Sequence, residues 1–327
     1  MYDASGDRVR SSYHEAFAAA FGPRSKVFIA IVQLIGLAGV AITFVVLIAS
    51  AIDDVLPWTL TKIESTAIAV AVCSPFMFFQ RLSYVAYLSI LGVAVLLVIG
   101  VVIPTSAAIK LADGEGAIPT VKTPTLSHFE SIGLLIFAFS AHSTFPEHEN
   151  AMRNPKDFPK VLDLSYSLIA VEKLLFGIVA WIAYGENTNE IVTNNLTSQV
   201  IRKIVSACVA INTISTLPLI IVVFFRIAQS FRGDSDVRPC VRVSEQLISL
   251  GICGVTAAFL PHFALLMSIF GAMSGTALTF VFPVAMYLKL HYTPCVLRWL
   301  YAAIAILGAL GGALSLVLST QRLIEAL

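Results

Sequence analysis

Apolar positions in this chain run in long unbroken blocks, and polar positions gather between the blocks rather than alternating with them. Blocks of roughly 17–25 apolar residues cross a hydrocarbon core of about 30 Å as helices. Nine spans are predicted, over about residues 27–52, 65–79, 84–103, 129–148, 161–184, 201–225, 244–260, 263–288 and 297–319. A membrane barrel needs strands of alternating hydrophobicity, and no segment shows that alternation. The pattern predicts an all-α polytopic membrane protein, with a polar segment over residues 1–26 and a transmembrane domain over residues 27–327.

The fourth block is unlike the others. Residues 132–139 are apolar, then Ser140, His142, Ser143 and Thr144 lead into Pro146 and the acidic turn of Glu147 and Glu149. Unwound backbone inside a bilayer is tolerated only where protein or a water-filled cavity satisfies its polar groups. A helix broken at that depth is also a pointer to a transporter's binding site. Phe145 precedes a proline and is expected to leave helical geometry; Thr144 with Glu147 fits a capping box that restarts the helix. The restarted N-terminus would carry about half a positive charge, which suits a carboxylate, and carbonyls freed near residues 137–140 suit an ammonium group. Together they would hold a zwitterion; the alternative is a proline kink with no ligand. His142 keeps two readings: a group that exchanges protons near neutral pH, or a histidine bonded to a neighbouring carbonyl that fixes the unwound backbone.

Composition agrees with the pattern. Of 327 residues, 57% are hydrophobic and 13% charged, where a soluble domain carries about 25% charged residues, and the mean hydropathy is +0.86. The five cysteines (Cys73, Cys208, Cys240, Cys253 and Cys295) have no ligand spacing, so neither a disulfide framework nor a metal site is predicted. No nucleophile elbow, HExxH motif or carboxylate pair lies within the spans. No enzyme activity, cofactor or nucleic-acid partner is expected.

Nine spans place alternate loops on opposite faces. One face would carry Arg8, Arg10, Arg24, Lys26, Arg81, Arg153, Lys156, Lys160, Arg226, Arg232, Arg238, Arg242, Lys289 and Arg298. The other would carry Lys62, Lys110, Lys122, Arg202, Lys203 and Arg322. Positive charge favours the cytoplasmic side, which makes the N-terminus cytoplasmic and the C-terminus luminal or extracellular. The non-cytoplasmic face then holds Asn195-Leu196-Thr197, a glycosylation acceptor pattern, and an irregular loop over about residues 104–128. No cleavable signal peptide is expected in the polar first 26 residues; residues 13–21 suit a short amphipathic helix on the cytoplasmic surface.

Other polar residues inside spans each admit two uses. Glu172 and Lys173 lie mid-span, about 100° apart on a helix: one lines a pathway while the other snorkels, or both pair structurally. Asn212 and Thr216 share a helix face beside Ser215 and Pro218, and either coordinate a cation or protonated water, or act as interhelical hydrogen-bond glue. Gly36 with Gly39, and Gly308 with Gly312, mark close-packing surfaces.

The run FAFSAHSTFPEHENAMRNPKDFPKVL, residues 137–162, resembles the amino acid/auxin permease family. Phe137, Phe139, His142, Phe145, Pro146, Met152, Pro155, Phe158 and Pro159 occupy the positions of a pattern found in its vesicular and vacuolar branch. The runs AYGENT at 183–188 and FGAMSGTALTFVFPVAMYL at 270–288 extend the likeness. The resemblance implies a LeuT-type five-plus-five inverted-repeat fold and secondary transport of small amino acids, often driven by protons. It implies substrate contact at Phe139, Ser140, Ala141, His142 and Ser143. It also implies ion or proton coupling through His142 and the Asn212–Thr216 face, to which Glu172 is added as an ionisable mid-span group. Members usually have eleven spans, and the FAAAFG run at 17–22 resembles the loop after the second of them. A partial version of the fold is therefore expected, with an oligomer or partner supplying the absent helices. The membrane would be that of a vesicle, vacuole or lysosome, or the plasma membrane. A second reading makes the chain a non-transporting amino-acid sensor or a truncated paralogue acting through a partner.

Overall fold

The computed structural model describes residues 12–78, 82–114, 116, 126–232, 238–260 and 262–326. Helix α1 (Tyr13–Phe21) starts where the Ser12 side chain accepts from the Glu15 amide, and ends at Gly22, whose φ of +94° suits only glycine. Helix α2 (Ser25–Val55) follows as one unbroken rod. Helix α3 (Lys62–Cys73) begins at a complete capping box, the Thr61 amide donating to Glu64 at 2.8 Å, and passes into a 3₁₀ turn at Ser74–Phe78. Helix α4 (Leu82–Ala112) continues past Pro104. After α5 (Ser131–Ala138) and α6 (Phe145–Ala151) come the long helices α7 (Phe158–Tyr184) and α8 (Gln199–Arg232), then α9 (Pro239–Phe259). Helix α10 (Phe263–Phe270) continues through two π turns, Gly271–Gly275 and Ala277–Val281, into α11 (Phe282–Leu290). Helix α12 (Cys295–Ala326) closes the chain.

The core forms where α2, α3, α8 and α9 meet, around Val45, Ile48, Ala69, Cys73, Leu217 and Leu250. Helix α4 lies against α7 and α8, while α5 is wedged between α10, the first π turn and α12. Helix α1 lies on α2 and α11: Phe17 meets the Phe282 ring edge-on at 5.2 Å, and the Tyr13 hydroxyl donates to the Leu278 carbonyl at 3.1 Å.

A buried serine ladder anchors the start of α5. Ser315 Oγ donates to the Glu130 carbonyl at 2.7 Å and accepts from the Gly133 amide at 2.9 Å; Ser268 Oγ meets Ser319 Oγ at 2.8 Å. Here backbones nearly touch. A Cβ on Gly271 would sit 2.1 Å from the Gly133 carbonyl oxygen. Small residues at crossing points let membrane helices approach this closely. The glycines singled out in the sequence serve the same purpose within the chain. Gly36 faces Ser274, Gly39 the Phe270 ring, Gly308 the Phe280 ring and Gly312 Thr276.

Six helical stretches among the described residues are long and apolar enough to cross a membrane: Ser25–Val55, Ile90–Ala112, Pro155–Asn187, Gln199–Gln229, Phe263–Leu290 and Cys295–Ala326. The protein is an integral multi-pass membrane protein, but the nine-span expectation does not hold. The span expected at 65–79 is a 12-residue helix, about 18 Å at 1.5 Å per residue. The span at 129–148 is cut into helices of eight and seven residues. The helix at the expected span 244–260, α9, carries Arg242, Glu245 and Gln246 near its start, which shortens its apolar stretch. With six spans, the five-plus-five inverted-repeat arrangement is not supported, and the charge alternation across nine spans loses its basis.

One loop expectation changes as well. The loop expected from residue 104 begins only after Ala112, and most of its remainder lies outside the described residues. Asn195, in the acceptor pattern read from the sequence, holds its own loop together: its side chain accepts from the Asn189 amide at 2.8 Å and donates to the Asn187 carbonyl at 2.7 Å.

Because the Gly133–Gly271 crossing has no room for a methyl group, Gly271→Ala is expected to destabilise the protein by about 1–3 kcal/mol. Thermal unfolding in detergent reads this directly. Gly177→Ala, at a position with nothing within 4 Å, serves as the neutral control.

Candidate functional site

The interruption between α5 and α6 is built from tightened turns. Past Ala138, the Phe139 amide bonds the Ile136 carbonyl at 3.2 Å and the Ser140 amide bonds Phe137 at 3.1 Å. The Ala141 amide then turns back to the Phe139 carbonyl at 3.0 Å. Phe139, Ala141 and Thr144 have φ between −114° and −103° with ψ near zero, whereas Phe145 is fully helical at −57°, −43°. The departure from helix therefore precedes Phe145, although Phe145 is the residue before the proline. Thr144 is the N-cap of α6, but its hydroxyl donates back to the Ala141 carbonyl at 2.9 Å and makes no cap hydrogen bond to α6. The expected partner of that capping box, the Glu147 side chain, lies outside the described residues.

Three neighbours pin the open segment. From α7, the Tyr166 hydroxyl donates to the Phe139 carbonyl at 3.0 Å. From α2, Gln33 Nε2 donates to the Ser143 carbonyl at 3.2 Å, with Gln33 only 2% exposed. From the second π turn, Thr279 Oγ1 shares a hydrogen bond with Ser140 Oγ at 3.1 Å. Rings enclose one side: His142 stands 4.9 Å from Phe145 and 5.9 Å from Tyr166, and Phe139 is 6.4 Å from Tyr166. Lys173 Nζ lies 5.8 Å from the centre of the Phe139 ring. His142 Nδ1 is buried without a hydrogen-bond partner. Buried polar atoms normally have one, which makes this nitrogen a candidate to meet a ligand.

Comparison with known proteins bears on what this segment serves. A model of the transmembrane amino acid transporter protein family matches residues 1–324. The chain belongs to this family. It is 26% identical over 357 aligned residues to the vesicular inhibitory amino acid transporter of Xenopus tropicalis, which covers 100% of the chain and 67% of that protein. The vesicular inhibitory amino acid transporter of Homo sapiens is 25% identical over 350 residues, covering 100% of the chain and 66% of its own length. Amino acid transporter AVT3A of Arabidopsis thaliana is 22% identical over 295 residues, 87% of the chain and 67% of that protein. The chain thus spans about two thirds of the length of these relatives. Membership makes the protein a membrane transporter and not an enzyme.

The expected site residues of this family member fall into two groups. Phe139, Ser140, Ala141, His142 and Ser143 form the open segment, and the structure adds Tyr166, Gln33, Thr279 and Lys173 around them. Glu172, Asn212 and Thr216 sit elsewhere, the first two beside α4. A Cβ on Gly100 would lie 3.4 Å from the Glu172 carboxylate, and one on Gly92 would lie 2.8 Å from Asn212 Oδ1. The Thr216 hydroxyl donates to the Asn212 carbonyl at 2.8 Å, a local backbone bond. Gln33 and Tyr166 went unnoticed in the sequence, yet each left a trace. Gln33 is an amide inside an apolar block, costly unless it faces protein. Tyr166 stands seven residues before Lys173, on the same helix face.

Removing a tether is expected to loosen the segment. Tyr166→Phe and Gln33→Leu each delete one neutral hydrogen bond, which corresponds to roughly fivefold faster amide exchange over residues 139–145. Hydrogen exchange read by mass spectrometry checks this, with unchanged exchange in the α2–α8 core as the control.

Proposed function

We propose that the protein is a proton-coupled secondary transporter of small zwitterionic amino acids, with the open segment at Phe139–Ser143 as its substrate site. The observation that carries the reading is the helix interruption itself, held open by Tyr166, Gln33 and Thr279 rather than closed into helix. The faces of Phe139, Phe145 and Tyr166 suit a substrate ammonium, since a cation over an aromatic face is attracted by the ring quadrupole. Lys173 and the start of α6 suit the carboxylate. His142, with its unpartnered Nδ1 beside these rings, is the proton-coupling group; Glu172 and Asn212 beside α4, with Thr216 one turn further along α8, form a second polar seam that an ion would follow. The relatives' names add inhibitory amino acids and vesicular membranes as the first substrates and compartment to test. Arg8, Arg10, Arg24 and Lys26 at or just before the start of the first span favour a cytoplasmic N-terminus.

Uptake of labelled amino acids into proteoliposomes, with and without a pH gradient, tests the reading. Saturable uptake that responds to the gradient is expected, together with loss of the gradient response in His142→Ala. An uptake that ignores the gradient, or a His142→Ala protein that still follows it, removes His142 from coupling. Absence of saturable uptake for every amino acid tried overturns the transport reading for this chain.

A further inference from the structure

We propose that the short helix α1 clamps the open segment at Phe139–Ser143, with Tyr13 and His14 as positioning residues that act through the second π turn and through Gln33. Their role in transport rests on the reading of that segment as the substrate site. These two consecutive residues reach two separate supports of the segment. The Tyr13 hydroxyl donates to the Leu278 carbonyl at 3.1 Å, and the next residue, Thr279, shares a hydrogen bond with Ser140 Oγ. His14 lies beside the Gln33 amide, whose Nε2 donates to the Ser143 carbonyl at 3.2 Å.

Packing seats α1 on the same two supports. Tyr13, His14 and Phe17 are buried, and Tyr13 and Phe17 cluster with Ile29 of α2 and Leu278 of the π turn. Ile29 and Gln33 are four residues apart and share one face of α2, so the apolar contact that docks α1 also brings His14 to Gln33. The chemistry of the ring fits this use. Burial lowers the His14 pKa from its ordinary value and Lys26 adds to that, while Glu15 and Gln33 act the other way. A neutral imidazole has one donor and one acceptor nitrogen. Nε2 meets Ser12 Oγ at 3.1 Å, which leaves the other nitrogen to serve Gln33. Gln33 Oε1, the end of the amide turned away from Ser143, has no partner at hydrogen-bond distance, so His14 is the neighbouring group that can steady it. One helix thereby sets the glutamine under Ser143 and the turn that carries Thr279.

Hydrogen exchange read by mass spectrometry, on the full chain in detergent, tests the clamp without requiring transport. Tyr13→Phe keeps the ring and its packing, and His14→Leu removes the imidazole. Each is expected to speed exchange over residues 139–145 by roughly threefold, with the α2–α8 core unchanged. His14→Gln retains an N–H donor and is expected to stay near wild type. A residue that acts through another adds nothing once that other is gone. In a Gln33→Leu background His14→Leu is therefore expected to bring no further change, and in a Thr279→Val background Tyr13→Phe none. This pattern in a protein without saturable uptake upholds the clamp and fails only the substrate reading. Exchange over residues 139–145 that stays at wild type while α1 itself loosens overturns the clamp. So do effects that add in full to those of Gln33→Leu and Thr279→Val, and either result leaves α1 as a cover.

Discussion

A peptide group in a bilayer has no water to bond, so any backbone that leaves the helix must find its partners in neighbouring helices. That constraint organises the centre of this protein. The carbonyls of Phe139 and Ser143 are met by a tyrosine from α7 and a glutamine from α2, and the Ser140 hydroxyl by a threonine from the second π turn. Each partner must be held at hydrogen-bond distance. Helices α2, α7 and the α10–α11 element are consequently fixed around the opening by its chemistry as well as by apolar packing.

The two ends of this region are restrained in different ways. The start of α5 is bound through the Ser268, Ser315 and Ser319 hydroxyls and the Gly133–Gly271 crossing, where nothing can shift without breaking backbone contacts. The far end rests on three isolated side-chain hydrogen bonds and loosely tilted rings. One end is an anchor and the other is held by fewer, separate contacts. The substrate site proposed here would use that division, because it has to release what it holds while the surrounding bundle keeps its shape.

The location of the opening was legible in the chain because Ser140, His142, Ser143, Thr144 and Pro146 interrupt an apolar run that would otherwise span. Its detailed geometry was not. The rule for residues preceding proline pointed to Phe145, but the chain turns earlier and Phe145 is already helical. The capping rule pointed to Thr144, whose hydroxyl is satisfied by Ala141. Both rules weigh local preferences, and in this segment tertiary partners override them. Gln33 and Ser143 are 110 residues apart, and Ser140 and Thr279 are 139 apart, so no local window relates them. The span count failed for another reason. Hydropathy counts apolar residues and is blind to whether one helix carries them, so the divided fourth block and the short α3 were scored as full crossings.

The two π turns between α10 and α11 carry a consequence of their own. Each wraps an extra residue into a helical turn relative to α geometry, so the stripe of side chains beyond Val281 is offset from the stripe before Gly271. Losing the extra residue from either turn would restore α winding and leave the helix beyond it aimed as it is, whereas losing a residue from the regular helix beyond Val281 would swing everything downstream of the loss by about 100°. In this stretch a change of length is absorbed inside the π turns and re-aims a whole helix face outside them.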